Sequence, residues 1–162
     1  HIVGITPEAP NLASVGGTKL PVTKIADHDL AELRSNFGAK GEKPDVIVFA
    51  APQLSIVEMG EVSSLVDGQK LKVPMIVCTS PQTYGDARRM GFVDKIENAG
   101  GVVLEGTCFY QQGAKEIGEA NGWVRLLSNS TKIVNILGGY GYKPALASME
   151  DCVAAAINGK IV

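Results

Sequence analysis

The sequence predicts an α/β fold: an open, mostly parallel sheet with helices on both faces. Three observations lead there. Short apolar runs alternate along the chain with segments of helical spacing, which is the order of βαβ units. Two runs, VIVFA and MIVC, are apolar at every position, as strands covered on both faces must be. Ser or Thr comes closely after the runs, where a helix start needs an oxygen to accept its free N–H groups.

The candidate strands, in order, are His1–Ile5, Val22–Ile25, Val46–Ala50, Met75–Thr79, Val102–Glu105, Val124–Leu127 and Ala145–Ala147. After the first, Thr6, Pro7 and Glu8 read as a cap, a proline at the first helical position and an acid near the positive helix end. DHDLAELRSNFG sets Leu30, Leu33 and Phe37 on one side of a helix. Ser55 and Glu58 have the spacing of a capping box. Ser80 precedes Pro81, and the helical segment it opens runs to the glycine pair Gly100–Gly101. Ser148 and Asp151 repeat the box spacing in a weaker form, and that last helix stops at Gly159. Polar, glycine-rich breaks near residues 38–43 and 138–143 are too short for linkers. The expectation is one α/β domain over residues 1–162, with two lobes an option at the first break. A start at His1, directly on an apolar run, suggests a fragment of a larger multidomain subunit.

Composition removes several function classes. Charged residues make up 20% and the net charge is −2, so there is no basic excess to hold a phosphate backbone and nucleic acid is not an expected partner. No apolar run approaches the about 20 residues that span a bilayer. Three well-separated cysteines do not form a disulfide framework and point to a reducing, cytoplasmic setting. VGGTK lacks the spacing and ending of a phosphate loop. His1 and His28 are the only imidazoles, so a Ser-His-Asp triad has no local support.

In an open parallel sheet, ligands bind beyond the carboxyl ends of the strands. The segments expected there are TPEAP, APQLS, TSPQT, TCFYQQ and SNSTK. They form a polar rim suited to a small oxygen-rich ligand, with Thr6 of the first segment as a candidate substrate contact. The same hydroxyls also serve as plain helix caps. Cys78 in an apolar strand and Cys152 among helix alanines read as core. Cys108 comes at a strand end after Gly106 and Thr107. A thiolate there is a candidate ligand for a soft metal or an iron–sulfur cluster.

HIVGITPEAP, APQLSIVEM, the turn GTC, SNSTK and SMEDCVAAAINGK occur in that order. This pattern resembles the later part of the large subunit of the aconitase X family, over essentially the whole chain. The resemblance implies an aconitase-like domain of an iron- or iron–sulfur-dependent hydro-lyase. Family members dehydrate cis-3-hydroxy-L-proline or mevalonate 5-phosphate, and a small subunit, separate or fused, completes the active site. It also implies that Cys108 is a metal ligand and that the SNSTK turn contacts substrate through Ser128, Asn129, Ser130 and Lys132. A second family ligand lies in a motif like Gly-Cys-Pro-His, where this chain has Ala50, Ala51, Pro52 and Gln53. Alanine cannot bind iron. Either the metal is held differently, or the cluster is lost, or the loop aligns otherwise. The departure favours the hydroxyproline type over the mevalonate-phosphate type. Two other readings stay open: a non-catalytic α/β module binding small anions, and a thiol enzyme with Cys108 as nucleophile.

Overall fold

The structure is a computed structural model describing residues 1–162. It divides into two compact units, His1–Glu32 and Leu33–Val162.

The larger unit holds one five-stranded parallel sheet. Its strands are β1 (Val46–Leu54), β2 (Met75–Thr79), β3 (Val102–Glu105), β4 (Arg125–Ser128) and β5 (Lys143–Leu146). They lie in the order β3-β2-β1-β4-β5. The helices are α1 (Asp27–Asn36), which begins in the smaller unit, then α2 (Ile56–Val66), α3 (Pro81–Arg89) and α4 (Phe92–Ala99). After β3 come α5 (Ala114–Asn121), α6 (Thr131–Leu137) and α7 (Met149–Asn158).

The apolar runs behave as double-sided strands. Along β1, Ile47 and Phe49 enter one core with Met59, Val77, Ile96 and Cys152. Val46, Val48 and Ala50 enter the other, with Cys78, Phe109, Leu126 and Ile133. Successive side chains point to opposite faces, so a strand feeding two cores must be apolar throughout. Each large side chain buried this way contributes roughly 1.5–3 kcal/mol.

The caps fall where the hydroxyls are. Ser55 Oγ accepts the Glu58 N–H while Glu58 Oε2 accepts the Ser55 N–H at 2.8 Å, closing the box. Ser80 caps α3 ahead of Pro81, and Ser148 caps α7 through the Asp151 N–H. The stretch from Ser80 to Gly101 is two helices rather than one, because Gly91 turns left-handed at φ 77° between them. On the last strand the pairing covers Lys143–Leu146 rather than Ala145–Ala147. It includes Pro144, which an edge strand tolerates.

The smaller unit contradicts three expectations. His1–Ile5 is a turn, not a strand: Gly4 sits at φ 77°, and the Ile5 and Thr6 N–H groups both donate to the Ile2 carbonyl. Val22–Ile25 is irregular, and Val22 and Ile25 are exposed. Thr6 caps no helix; its hydroxyl accepts the Ile2 N–H at 2.7 Å and so closes the first turn. An apolar run makes a strand only where a neighbour pairs with it, and no strand borders either run.

Candidate functional site

Because all five strands are parallel, their carboxyl ends share one edge. The chain crosses from the β1–β2–β3 side to the β4–β5 side between β1 and β4, and such switch points are where ligands bind in open sheets.

The tail of β1 is fixed from both sides. Its pairing with β2 slips between Phe49 and Leu54. In that irregular stretch Ala51 adopts a left-handed φ of 48° ahead of a cis bond to Pro52. Ser130 Oγ donates to the Ala51 carbonyl at 2.6 Å, and Ser128 Oγ donates to the Val48 carbonyl at 2.6 Å. On the other side, Thr79 Oγ1 donates to the Leu54 carbonyl at 2.7 Å and Gln53 Nε2 to the Thr107 carbonyl at 2.8 Å. Each bond contributes about 1 kcal/mol net, and deleting a donor leaves a desolvated carbonyl that costs about 1–3 kcal/mol.

Gln53 thus reaches the turn that carries Cys108. Gly106 supplies the left-handed φ of 65° that this turn needs. Cys108 is half-buried and leads into a short 3₁₀ turn, Phe109–Gln111. It packs on the cluster that contains Ala51, Cys78 and Phe109. Cys78 is buried, and its thiol is pushed up to about 11, chiefly by burial and secondarily by Cys108, against a lowering hydrogen bond with the Phe109 backbone. Burial also raises Cys152, helped by Asp151 and Glu150. Both therefore stay protonated near neutral pH. Thr107 Oγ1 is buried beside Cys108 without a hydrogen-bond partner.

The chain's own donors do not fit a complete metal site. No three His, Cys, Asp or Glu side chains come together. The tail beside the Cys108 turn offers an alanine at position 51, and Gln53 is a neutral amide whose nitrogen donates to the Thr107 carbonyl. The corner presents one half-buried thiol and one orphaned hydroxyl.

The other side of the edge is open. A hollow of about 560 Å³ lies between the tails of β4 and β5. Asn129 and Thr131 line it from one turn, Ser148 and Asp151 from the other, and Arg34 of α1 closes it. The chain just past α1 is tied to this place, since the Leu146 N–H donates to the Phe37 carbonyl at 3.0 Å.

The structure thus brings Ser128, Asn129, Ser130 and Lys132 to one turn, with different duties. Ser128 and Ser130 are buried, and their hydroxyls bind backbone. Asn129 lines the hollow. Lys132 Nζ lies 5.7 Å from the centre of the Tyr110 ring, reaching toward the Cys108 turn. Thr6 belongs to the smaller unit, its hydroxyl engaged locally. Sequence reasoning missed Arg34, which sits on a helix with no buried residues. No local signal marks it, because only the pairing at Phe37 brings it near β5.

Residues 44–158 match the family model described as the aconitase X third domain. The chain is 25% identical to cis-3-hydroxy-L-proline dehydratase of Pseudomonas aeruginosa, over 99% of this chain and 28% of that protein. It is 32% identical to the phosphomevalonate dehydratase large subunit of Methanothermobacter thermautotrophicus, over 73% of this chain and 29% of that one. The crystal structure of Thermococcus kodakaraensis aconitase X in its holo-form has the same fold. The TM-score is 0.73 at 24% identity, covering 85% of this chain and 35% of that one. The chain thus spans under a third of the length of these two relatives.

Proposed function

This chain belongs to the aconitase X family, and on that premise we propose that it is a domain of a hydro-lyase acting on a small hydroxy acid such as cis-3-hydroxy-L-proline. The observation that carries the reading is the match over residues 44–158, which spans every strand tail at the carboxyl edge. Relatives of both substrate types are similarly distant, so mevalonate 5-phosphate is the alternative substrate. Dehydration removes a proton beside a carboxylate and expels a hydroxyl. This chain's part in it is to bind and orient the acid, with the Asn129 amide and Lys132 ammonium as donors toward developing negative charge. Ser128 and Ser130 hold that turn in place.

Iron, or an iron–sulfur cluster, would act as a Lewis acid on the departing oxygen. Since one thiol cannot hold it, Cys108 contributes a single ligand and the others come from outside these 162 residues. A small subunit or its fused equivalent completes the enzyme in the same reading, as the name of the archaeal relative implies for that protein.

The test is turnover by the complete enzyme on each of the two substrates, with iron content measured for wild type and Cys108→Ala. Turnover of either acid, with iron lost in the variant, supports the reading; equal iron in both ends the role of Cys108. Ala51 favours a second reading, an anion-binding module without turnover, and absence of dehydration on both acids selects it.

A further inference from the structure

The hollow beside β4 and β5 carries charge of both signs. Three of the four arginines face a carboxylate: Arg88 meets Asp94, Arg89 meets Asp86 and Arg125 meets Glu42. Arg34 meets none, and it lines the hollow. Asp151 lines it as well, from the turn after β5, and it too has no cationic partner. The side chains of Asn129 and Thr131 stand in the same wall with no hydrogen bond inside the protein. In the first turn of α7 the Asp151 N–H is already taken by the Ser148 hydroxyl at 3.1 Å. The hollow at the opposite, amino edge of the sheet is smaller, about 230 Å³, and also holds both signs in Lys43, Lys72 and Asp45, but there the carboxylate is already engaged, accepting the Val124 and Arg125 N–H groups at 2.9 and 2.8 Å.

A guanidinium and a carboxylate that share a cavity of this size without pairing are complementary to a small molecule bearing both charges. We infer that this hollow selects a zwitterionic imino or amino acid, with Arg34 taking its carboxylate and Asp151 its ammonium group. The inference rests on the dehydratase reading and narrows it. Cis-3-hydroxy-L-proline carries a ring ammonium beside its carboxylate. Mevalonate 5-phosphate carries two anionic ends and no cation, and Asp151 repels it. Arg34 and Asp151 are therefore specificity residues, one for each end of the ligand, with Asn129 and Thr131 as neutral polar groups in the same wall.

The test uses this 162-residue chain and needs no turnover. L-Proline, acetate, pyrrolidine and inorganic phosphate are titrated separately while the backbone amide signals of Asn129, Thr131 and Asp151 are tracked by NMR. L-Proline is expected to bind at least about tenfold more tightly than either acetate or pyrrolidine, because each of those fills one charge only. Arg34→Met and Asp151→Asn are each expected to weaken proline about tenfold, and Arg34→Lys to recover part of the loss. Asp151→Asn should at the same time strengthen phosphate. Three results overturn the inference: phosphate or acetate preferred over proline by the wild type, proline binding unchanged in both variants, or no shift at these amides with any ligand. Failure of the full enzyme to dehydrate either acid, with proline selectivity intact, counts against the dehydratase reading alone. Turnover of cis-3-hydroxy-L-proline with unchanged KM in both variants counts against this inference alone.

Discussion

On the β1–β2–β3 side of the edge, the turn after β3 presses its thiol against an apolar cluster and is held from β1 by Gln53. On the β4–β5 side, the turns splay apart and leave about 560 Å³ lined by polar and charged groups. Both sides obey the same rule of parallel strands ending at one edge. The contrast comes from the residues that lie just past each strand. Phe109 comes directly after Cys108 and is fully buried, so it draws the turn down onto the sheet. Asn129 and Thr131 flank a buried serine whose hydroxyl points inward to Ala51, so the polar neighbours on either side stay at the surface. A cavity thus depends on anchoring one residue of a turn while leaving its neighbours free.

That contrast can be broken most directly at Phe109. Phe109→Ala removes the buried ring that packs 6.1 Å from Tyr142, and is expected to cost about 3–5 kcal/mol in urea unfolding. Asn129→Ala, in the hollow, should stay within about 0.5 kcal/mol. Similar losses in the two variants would refute the distinction between a packed corner and an open cleft. Next in size is Ser130→Ala, which removes both the cap of α6 and the bond to the Ala51 carbonyl. It should cost about 1–3 kcal/mol.

A pH series sharpens the same comparison. Cys78 is raised to about 11 in the folded chain, chiefly by burial, from an ordinary 9.0. A raised thiol favours folding fully below its unfolded value and loses that contribution as pH climbs toward the folded one. Stability should therefore fall by about 1.4 kcal/mol per pH unit from this group between pH 9 and 11. Cys152 acts in the same direction. Cys78→Ala should flatten the slope, measured by chemical denaturation at each pH. Iodoacetamide at pH 8 should correspondingly label Cys108 ahead of the two buried thiols; equal labelling of Cys78 contradicts a closed corner. The smallest effect belongs to Ala51→Gly. Relief of a left-handed alanine is expected to stabilise by roughly 0.5–1 kcal/mol.

Much of this was legible in the sequence because it depended on neighbours along the chain. Double-sided strands announce themselves as unbroken apolar runs, and the expected bounds of Met75–Thr79 and Val102–Glu105 are those observed. Ser55, Ser80 and Ser148 could be read as caps because a cap lies within three residues of the N–H it binds. His1–Ile5 misled because strand formation needs a partner strand, which apolar character alone does not supply. At the edge, the turn at 128–132 could be found from its position after β4. The division of labour within it could not, since the acceptors Val48 and Ala51 lie 80 and 79 residues away. Arg34 was invisible for the same reason: its place in the wall of the hollow that Asp151 also lines is a product of folding alone.

One hydroxyl, that of Ser130, accepts from the Ile133 N–H and donates to the Ala51 carbonyl. With one proton to give, it cannot donate to a third group. The pitch of α6 and the irregular stretch within β1 are thereby geared together. An insertion in either loop would disengage both, so variation in the chain at this spot is expected to arrive as paired changes rather than single ones.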